Sequence, residues 1–251
     1  MSLSTLNTFS IYWIIIALIL VPIQLKIIAP YGRHISHKWG WVIDNRLGWI
    51  LMEIVSPLIL GYFLFASETL NLTTSLIAGL WLLHYLNRSL IFPFRIKTKG
   101  KKMPLLIALS AIFFNSMNAG LNGYYLGQFG HTYTLDWLLD FRFIIGLSLF
   151  IIGAVINIQS DNILLNLRTP TEQGYKIPRG GLFKYISCPN HFGEMIEWLG
   201  FAVMAWSLPA FSFALWTIAN LLPRARSHHR WYREYFDEYP KDRKAVIPFV
   251  L

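Results

Sequence analysis

Charge is scarce in this chain. Of its 251 residues only 14% are Asp, Glu, Lys or Arg, while 55% are hydrophobic and 16% aromatic. With a mean hydropathy of +0.45, that balance excludes an ordinary water-soluble domain and indicates a polytopic membrane protein. Cysteine is almost absent. The single Cys188 rules out an intramolecular disulfide and supplies no thiolate pair for zinc. No Gly-x-Gly-x-x-Gly occurs, so a Rossmann-type nucleotide fold has no signature here. No basic segment precedes the first apolar run, which is therefore read as a span and not as a cleavable signal. The net charge of +9 comes with no nucleic-acid recognition module, and nucleic acid is not an expected partner.

What the chain does have is apolar length. Measured against the roughly 20 residues needed to cross the hydrocarbon, seven segments stand out, near 9–29, 48–66, 72–94, 103–126, 138–158, 191–206 and 208–225. The last two are separated by Ser207, Leu208 and Pro209, which fits a tight helical hairpin. The expected fold is all-α, a single membrane domain over 1–251 with seven transmembrane helices. Charge tests the count: with seven spans, every Lys and Arg except Arg142 falls on one side, which holds the loop with Arg33, Lys38 and Arg46, the loop 94–104, the segment 162–190 and the tail after Arg224. The positive-inside rule then puts the N-terminus outside and the C-terminus in the cytoplasm. Those cations serve either anionic headgroups or an anionic ligand entering from the cytoplasm.

Polar residues within the spans narrow the function. A carboxylate at mid-membrane costs about 2.5–3.5 kcal/mol on insertion scales, so Glu53 is a site candidate by default. The third span carries "LLHYLNRSL", where His84, Tyr85, Asn87 and Arg88 crowd one turn. Separately, Arg88 is explained by snorkelling and Tyr85 by interfacial packing; with Glu53 they outline a polar cavity. In "INIQSDNILLNLR" (156–168) the residues Asn157, Asp161 and Arg168 share one helical stripe. Glu194 and Glu197 head the sixth helix, where they either complement its dipole or face a ligand. In the basic, aromatic tail Arg224, His228 and Tyr232 share a stripe together with Tyr235. His228 and His229 are adjacent and point apart, and without a His-x3-His spacing no metal site is expected.

These residues lie within a longer pattern. The run "GLNGYYL…INIQSDNILLNLR…YKIPRGGLFKYIS…GEMIEWLGFAVMAWSLPAFSFA…HHRWYREYFDEYPKDRKAVIPF" closely resembles the steroid 5α-reductases, or 3-oxo-5α-steroid 4-dehydrogenases, with the type 2 branch as the expected near kin. The similarity is densest from about Leu121 onward, and "HYLNRS" with Glu53 extends it upstream. The resemblance implies a seven-helix membrane enzyme that reduces the Δ4 double bond of a 3-oxo steroid with NADPH.

Cofactor positions implied by the family fall on Asn157, Asp161, Arg168, Tyr175, Asn190, Glu194, Arg224, His228 and Tyr232, with Arg95 and Lys97 approaching the phosphates from the neighbouring loop. Amides and carboxylates suit ribose or adenine groups, and guanidinium suits phosphate. Tyr85 and Glu53 are the implied grip on the 3-oxo group, Tyr85 donating and Glu53 either sharing a proton or orienting Tyr85. The substrate cavity is expected mainly from the first four helices and the cofactor site mainly from 157–235, facing the cytoplasm. The host membrane is a bacterial inner membrane or the endoplasmic reticulum.

Departures from the family pattern are Met52 before the catalytic Glu, Cys188 and Pro189 before Asn190, and Asn118 with Ala119 in the fourth span; they bear on steroid preference. Lipid and a lipophilic enone are the expected partners, with no obligate protein partner evident. Two other classes remain: an isoprenylcysteine-methyltransferase-like enzyme using S-adenosylmethionine, and a seven-helix receptor or carrier in which Glu53 binds a ligand or proton.

Overall fold

The computed structural model describes residues 1–27, 40–68, 70–97, 100–167 and 174–251. The chain is predominantly helical: α1 (Leu3–Lys26), α2 (Asn45–Phe65), α3 (Leu72–Leu86), α4 (Phe92–Arg95), α5 (Leu105–Phe129), α6 (Phe141–Asn166), α7 (Pro189–Ala205) and α8 (Leu208–Tyr235). Among the described residues, four helical stretches are long and apolar enough to cross a membrane: Leu3–Lys26, Asn45–Phe65, Leu105–Thr132 and Phe141–Asn166. The rest of the expected seven differ for local reasons. α3 gives way to a five-residue π-turn at Asn87–Ile91, α7 has only 17 residues, and the second half of α8 is the basic, aromatic tail. The chain divides into two compact units, the first made of Met1–Tyr12, Ala29–Ile144 and Ser207–Ala210, the second of Trp13–Ile28, Ile145–Trp206 and Phe211–Leu251.

In the first unit α2 packs along α5. Lipid is as apolar as leucine, so such helices associate by close van der Waals fit and small residues mark the seam. Gly127 shows how close: a Cβ there would stand 2.7 Å from the Phe63 carbonyl oxygen. Two short strands were not legible in the hydropathy pattern. β1 (Val42–Asp44) pairs antiparallel with β2 (Lys102–Pro104), with Ile43 opposite Met103. The ribbon feeds both helices, since Asp44 caps α2 by accepting from the main-chain N–H groups of Arg46 and Leu47 at 2.9 and 3.0 Å, and Pro104 precedes α5. Such a cap satisfies donors that the first helical turn leaves open. Trp81 Nε1 donates to Ser56 Oγ at 2.9 Å and ties α3 to α2.

In the second unit α6 and α7 are in backbone contact. Gly146 and Gly153 on α6 face Gly200 and Gly193 on α7, each pair spaced seven residues, or two turns. A Cβ on Gly153 would lie 2.5 Å from the Gly193 carbonyl oxygen, and one on Gly193 would lie 2.6 Å from the Asn157 nitrogen. Around this seam Trp198 is fully buried against Phe213, with ring centroids 4.5 Å apart. The C-terminal segment folds back beside the start of α7: Ser187 N–H donates to the Lys244 carbonyl at 2.8 Å and Cys188 N–H to the Ala245 carbonyl at 3.1 Å. Val246, Cys188, Met195 and Ala225 form the small core beneath it.

Candidate functional site

The first unit gathers a polar cluster within apolar helices. Tyr85, on the last turn of α3, is buried at 4% exposure and its ring stacks on Trp81 at 5.4 Å. Its hydroxyl donates to Asn115 Oδ1 on α5 at 3.1 Å. Asn115 Nδ2 in turn donates to the main-chain carbonyl of Met52 on α2 at 2.5 Å. Glu53 follows Met52 and is half-buried; Arg88, His84 and the Asn115 amide are the groups that act on its carboxyl. Thus Glu53, Tyr85, His84 and Arg88, picked out of separate apolar runs, do converge.

The π-turn that follows α3 positions the last of these. Widened turns of this kind are rare and recur at functional sites. Here Ser89 Oγ donates to the Tyr85 carbonyl at 2.6 Å, and the Arg88 carbonyl accepts from Trp49 Nε1 at 3.1 Å. The Arg88 guanidinium lies over the rings of Phe92 and Trp49, 4.4 and 5.0 Å from their centroids. Arg88 is therefore clasped by aromatic faces, a cation–π arrangement, and is not simply reaching for headgroups.

The second unit holds the other cluster. Asn157 and Asp161 are 3% and 7% exposed, on the α6 face that meets α7. Asn157 Nδ2 donates to the Asn190 carbonyl at 3.0 Å and lies 3.5 Å from Glu194 Oε2. Asn190 Nδ2 donates to Asp161 Oδ1 at 3.3 Å. The His191 and His228 rings are 5.8 Å apart, which brings α8 to the same corner. Four expected cofactor residues, Asn157, Asp161, Asn190 and Glu194, are thereby joined in one hydrogen-bonded array.

The others sit as follows. Arg224 and His228 lie on α8, partly buried. Tyr232 is 3% exposed and stacks nearly parallel on Tyr239, centroids 5.3 Å apart, so the ring is part of an aromatic core. Tyr175 is 37% exposed and packs edge-on against Trp231 at 4.8 Å. Arg95 ends α4 and Lys97 follows it, both exposed and both in the first unit. Arg168 lies outside the described residues.

Three features escaped the sequence reading. Asn115 is one of three asparagines in the fourth apolar run, and only its contacts distinguish it from Asn118 and Asn122. The facing glycines did leave a signal, two Gly pairs at seven-residue spacing. Ser187 is the third: its Oγ donates to the Lys244 carbonyl at 3.0 Å and lies 2.6 Å from both His229 Nδ1 and the Tyr239 hydroxyl. Ser187 thus joins α8, through His229, to the C-terminal segment, through Tyr239 and Lys244. Burial and the nearby Arg233, Arg243 and Lys244 hold the His229 imidazolium form down, below the ordinary histidine range.

Residues 101–251 match the family model described as 3-oxo-5-alpha-steroid 4-dehydrogenase. Over the longer chain, 44% of 229 residues are identical to steroid 5-alpha-reductase DET2 of Gossypium hirsutum, covering 88% of each chain. The 3-oxo-5-alpha-steroid 4-dehydrogenase 1 of Bos taurus is 45% identical over 235 residues, 91% of each chain. The chain belongs to the 3-oxo-5-alpha-steroid 4-dehydrogenase family. The Homo sapiens type 1 protein, 43% identical over 227 residues, falls in the same range as the plant one, so identity assigns the chain to the family and not to a branch of it. In this family member the residues 101–251 carry Asn115 and the whole array of the second unit. Glu53 and Tyr85 lie upstream, and a continuous match to the Gossypium protein of the stated length must include them.

Proposed function

We propose that this protein reduces the Δ4 double bond of 3-oxo-Δ4 steroids to 5α-reduced 3-oxo steroids, using NADPH. Membership of the family supports the reaction class, and the single observation that carries it to residues is the buried Tyr85 phenol linked through Asn115 to the α2 backbone at Met52, next to Glu53.

A conjugated enone accepts hydride at its β-carbon only as negative charge builds on the carbonyl oxygen. A preorganised hydrogen-bond donor in a dry cavity stabilises that charge far better than water does. Tyr85 is such a donor: its phenol O–H already donates to Asn115, and Trp81 and Ser89 fix its ring and backbone. Glu53 helps grip the 3-oxo group. Arg88, clasped by Trp49 and Phe92, supports the carboxyl through charge.

The donor set of the second unit fits a dinucleotide. Asn157, Asp161, Asn190 and Glu194 offer amides and carboxylates to ribose hydroxyls and adenine edges, while Arg224 and Arg168 offer guanidinium to phosphate. His228, Tyr232 and Tyr175 complete the α8 side. When bound, NADPH supplies the hydride to C5, and a proton at C4 completes the saturated ketone.

The orientation follows the charge. Residues 72–95 run as α3, π-turn and α4, about 36 Å at 1.5 Å per residue, enough for a crossing. Counting that stretch with α7 and α8 gives seven crossings, an external N-terminus, and a cofactor site on the cytoplasmic face of an inner or endoplasmic reticulum membrane.

The test is NADPH oxidation by purified protein in lipid with progesterone, with the product identified. A 5α-reduced ketone supports the reading. Binding of S-adenosylmethionine in place of NADPH would move the chain to methyl transfer, and binding of neither would sink the reductase.

A further inference from the structure

Asn115 joins Tyr85 on α3 to the main chain of Met52 on α2, the residue before Glu53. Its environment fixes which way round the amide lies. The Met52 carbonyl accepts and never donates, so the group 2.5 Å from it is the NH2. Oδ1 therefore faces Tyr85, and the phenol spends its only proton on Asn115 at 3.1 Å. The same amide is among the groups that act on the Glu53 carboxyl. Asn115 is 4% exposed, so water does not replace these contacts cheaply.

Two consequences follow. The NH2 group is committed to α2, which holds the Tyr85 hydroxyl in register with Glu53 across three helices. The phenol proton is parked on a neutral acceptor and is not drawn to the carboxylate, whose stronger grip would make the phenol a poorer donor to a ketone. We infer that Asn115 is a positioning residue for the enone carbonyl, holding the Tyr85 proton in the empty site and yielding it to the 3-oxo oxygen. This rests on the reductase reading above.

The test compares wild type, Asn115→Leu and Asn115→Asp in lipid, with NADPH affinity measured beside steroid kinetics. Asn115→Leu keeps the volume and removes both hydrogen bonds. Its kcat should fall by about tenfold or more, the pattern of a lost transition-state interaction, with NADPH affinity unchanged. Asn115→Asp is the discriminating variant. A neutral carboxylic acid reproduces the amide, its O–H donating to Met52 and its C=O accepting from Tyr85, whereas the carboxylate cannot donate and adds charge beside Glu53. Its activity should rise as the pH falls, relative to wild type at each pH, which a packing role alone does not produce. Wild-type kcat in Asn115→Leu, or a wild-type pH profile in Asn115→Asp, overturns the inference alone. No enone turnover by wild type overturns the reductase reading and the inference with it.

Discussion

Asn157 on α6 donates its side-chain N–H to the main-chain carbonyl of Asn190 on α7 across 3.0 Å. The bond exists because glycines let the two helices touch, and it ties Asn157 to the first turn of α7, which begins at Pro189. Asn190 is then free to turn its own amide to Asp161. Replacing Asn157 by Leu should leave the Asn190 carbonyl and Glu194 without this donor. NADPH affinity should fall by about tenfold, the worth of one hydrogen bond to a charged or buried group, with less effect on the kcat at saturating cofactor. A fluorescence titration against NADPH in lipid reads it, and an unchanged affinity would remove Asn157 from the cofactor site.

Gly153 tests the seam itself. A Cβ at this position meets the main chain of Gly193 and Glu197, and backbone cannot step aside as a flexible side chain can. Gly153→Ala should cost about 1–3 kcal/mol, the usual range for overpacking, and should loosen the Asn157 array at the same time. Thermal unfolding in lipid would show the stability loss. Gly61 offers the control, because nothing lies within 4 Å of a Cβ there, and Gly61→Ala should be neutral.

Tyr85→Phe removes a hydroxyl and nothing else, since Trp81 and Ser89 still hold the ring and backbone. Loss of one preorganised donor of this type costs about 10²–10³ in kcat. NADPH affinity should be retained, because Tyr85 is not among the residues proposed to hold it. Steady-state kinetics with product identification checks both halves. A Phe variant of near-normal kcat would transfer the donor's role elsewhere.

His229 predicts a pH dependence. Its folded-state pKa lies below the ordinary histidine value of about 6.5, because burial, Arg233, Arg243 and Lys244 all disfavour the imidazolium. The unfolded chain therefore binds the proton first. Stability from this group is intact above about pH 6.5 and is lost as the pH falls through the folded-state value. Melting temperatures in lipid from pH 8 down to about 5 should drop more for wild type than for His229→Gln, a neutral side chain able to keep a hydrogen bond with Ser187. Parallel curves would show that this histidine does not titrate with folding.

How much was legible beforehand differs by element. Hydropathy located the helices, because a span must satisfy its own backbone hydrogen bonds and therefore reads as a long apolar run. It overlooked the Val42–Asp44 and Lys102–Pro104 ribbon, since strands of three residues carry no period. Glu53, Tyr85 and Arg88 were conspicuous as polar residues in apolar surroundings, and Asn157 and Asp161 as a stripe. Tyr232 was marked by spacing on α8, yet its stacking on Tyr239 comes from a segment that spacing does not reveal.

The sequence alone determined the class of protein, the family and the list of polar residues worth watching, because composition, period and motif are properties of neighbours along the chain. Tertiary structure decided which of them touch. That Asn115, and not Asn118 or Asn122, receives the Tyr85 proton depends on the rotation of α5 against α2 and α3. That Asn157 meets Asn190 depends on how closely α6 approaches α7. Both are long-range distances set by side-chain volume at a helix seam, which local sequence records only as a few well-placed glycines.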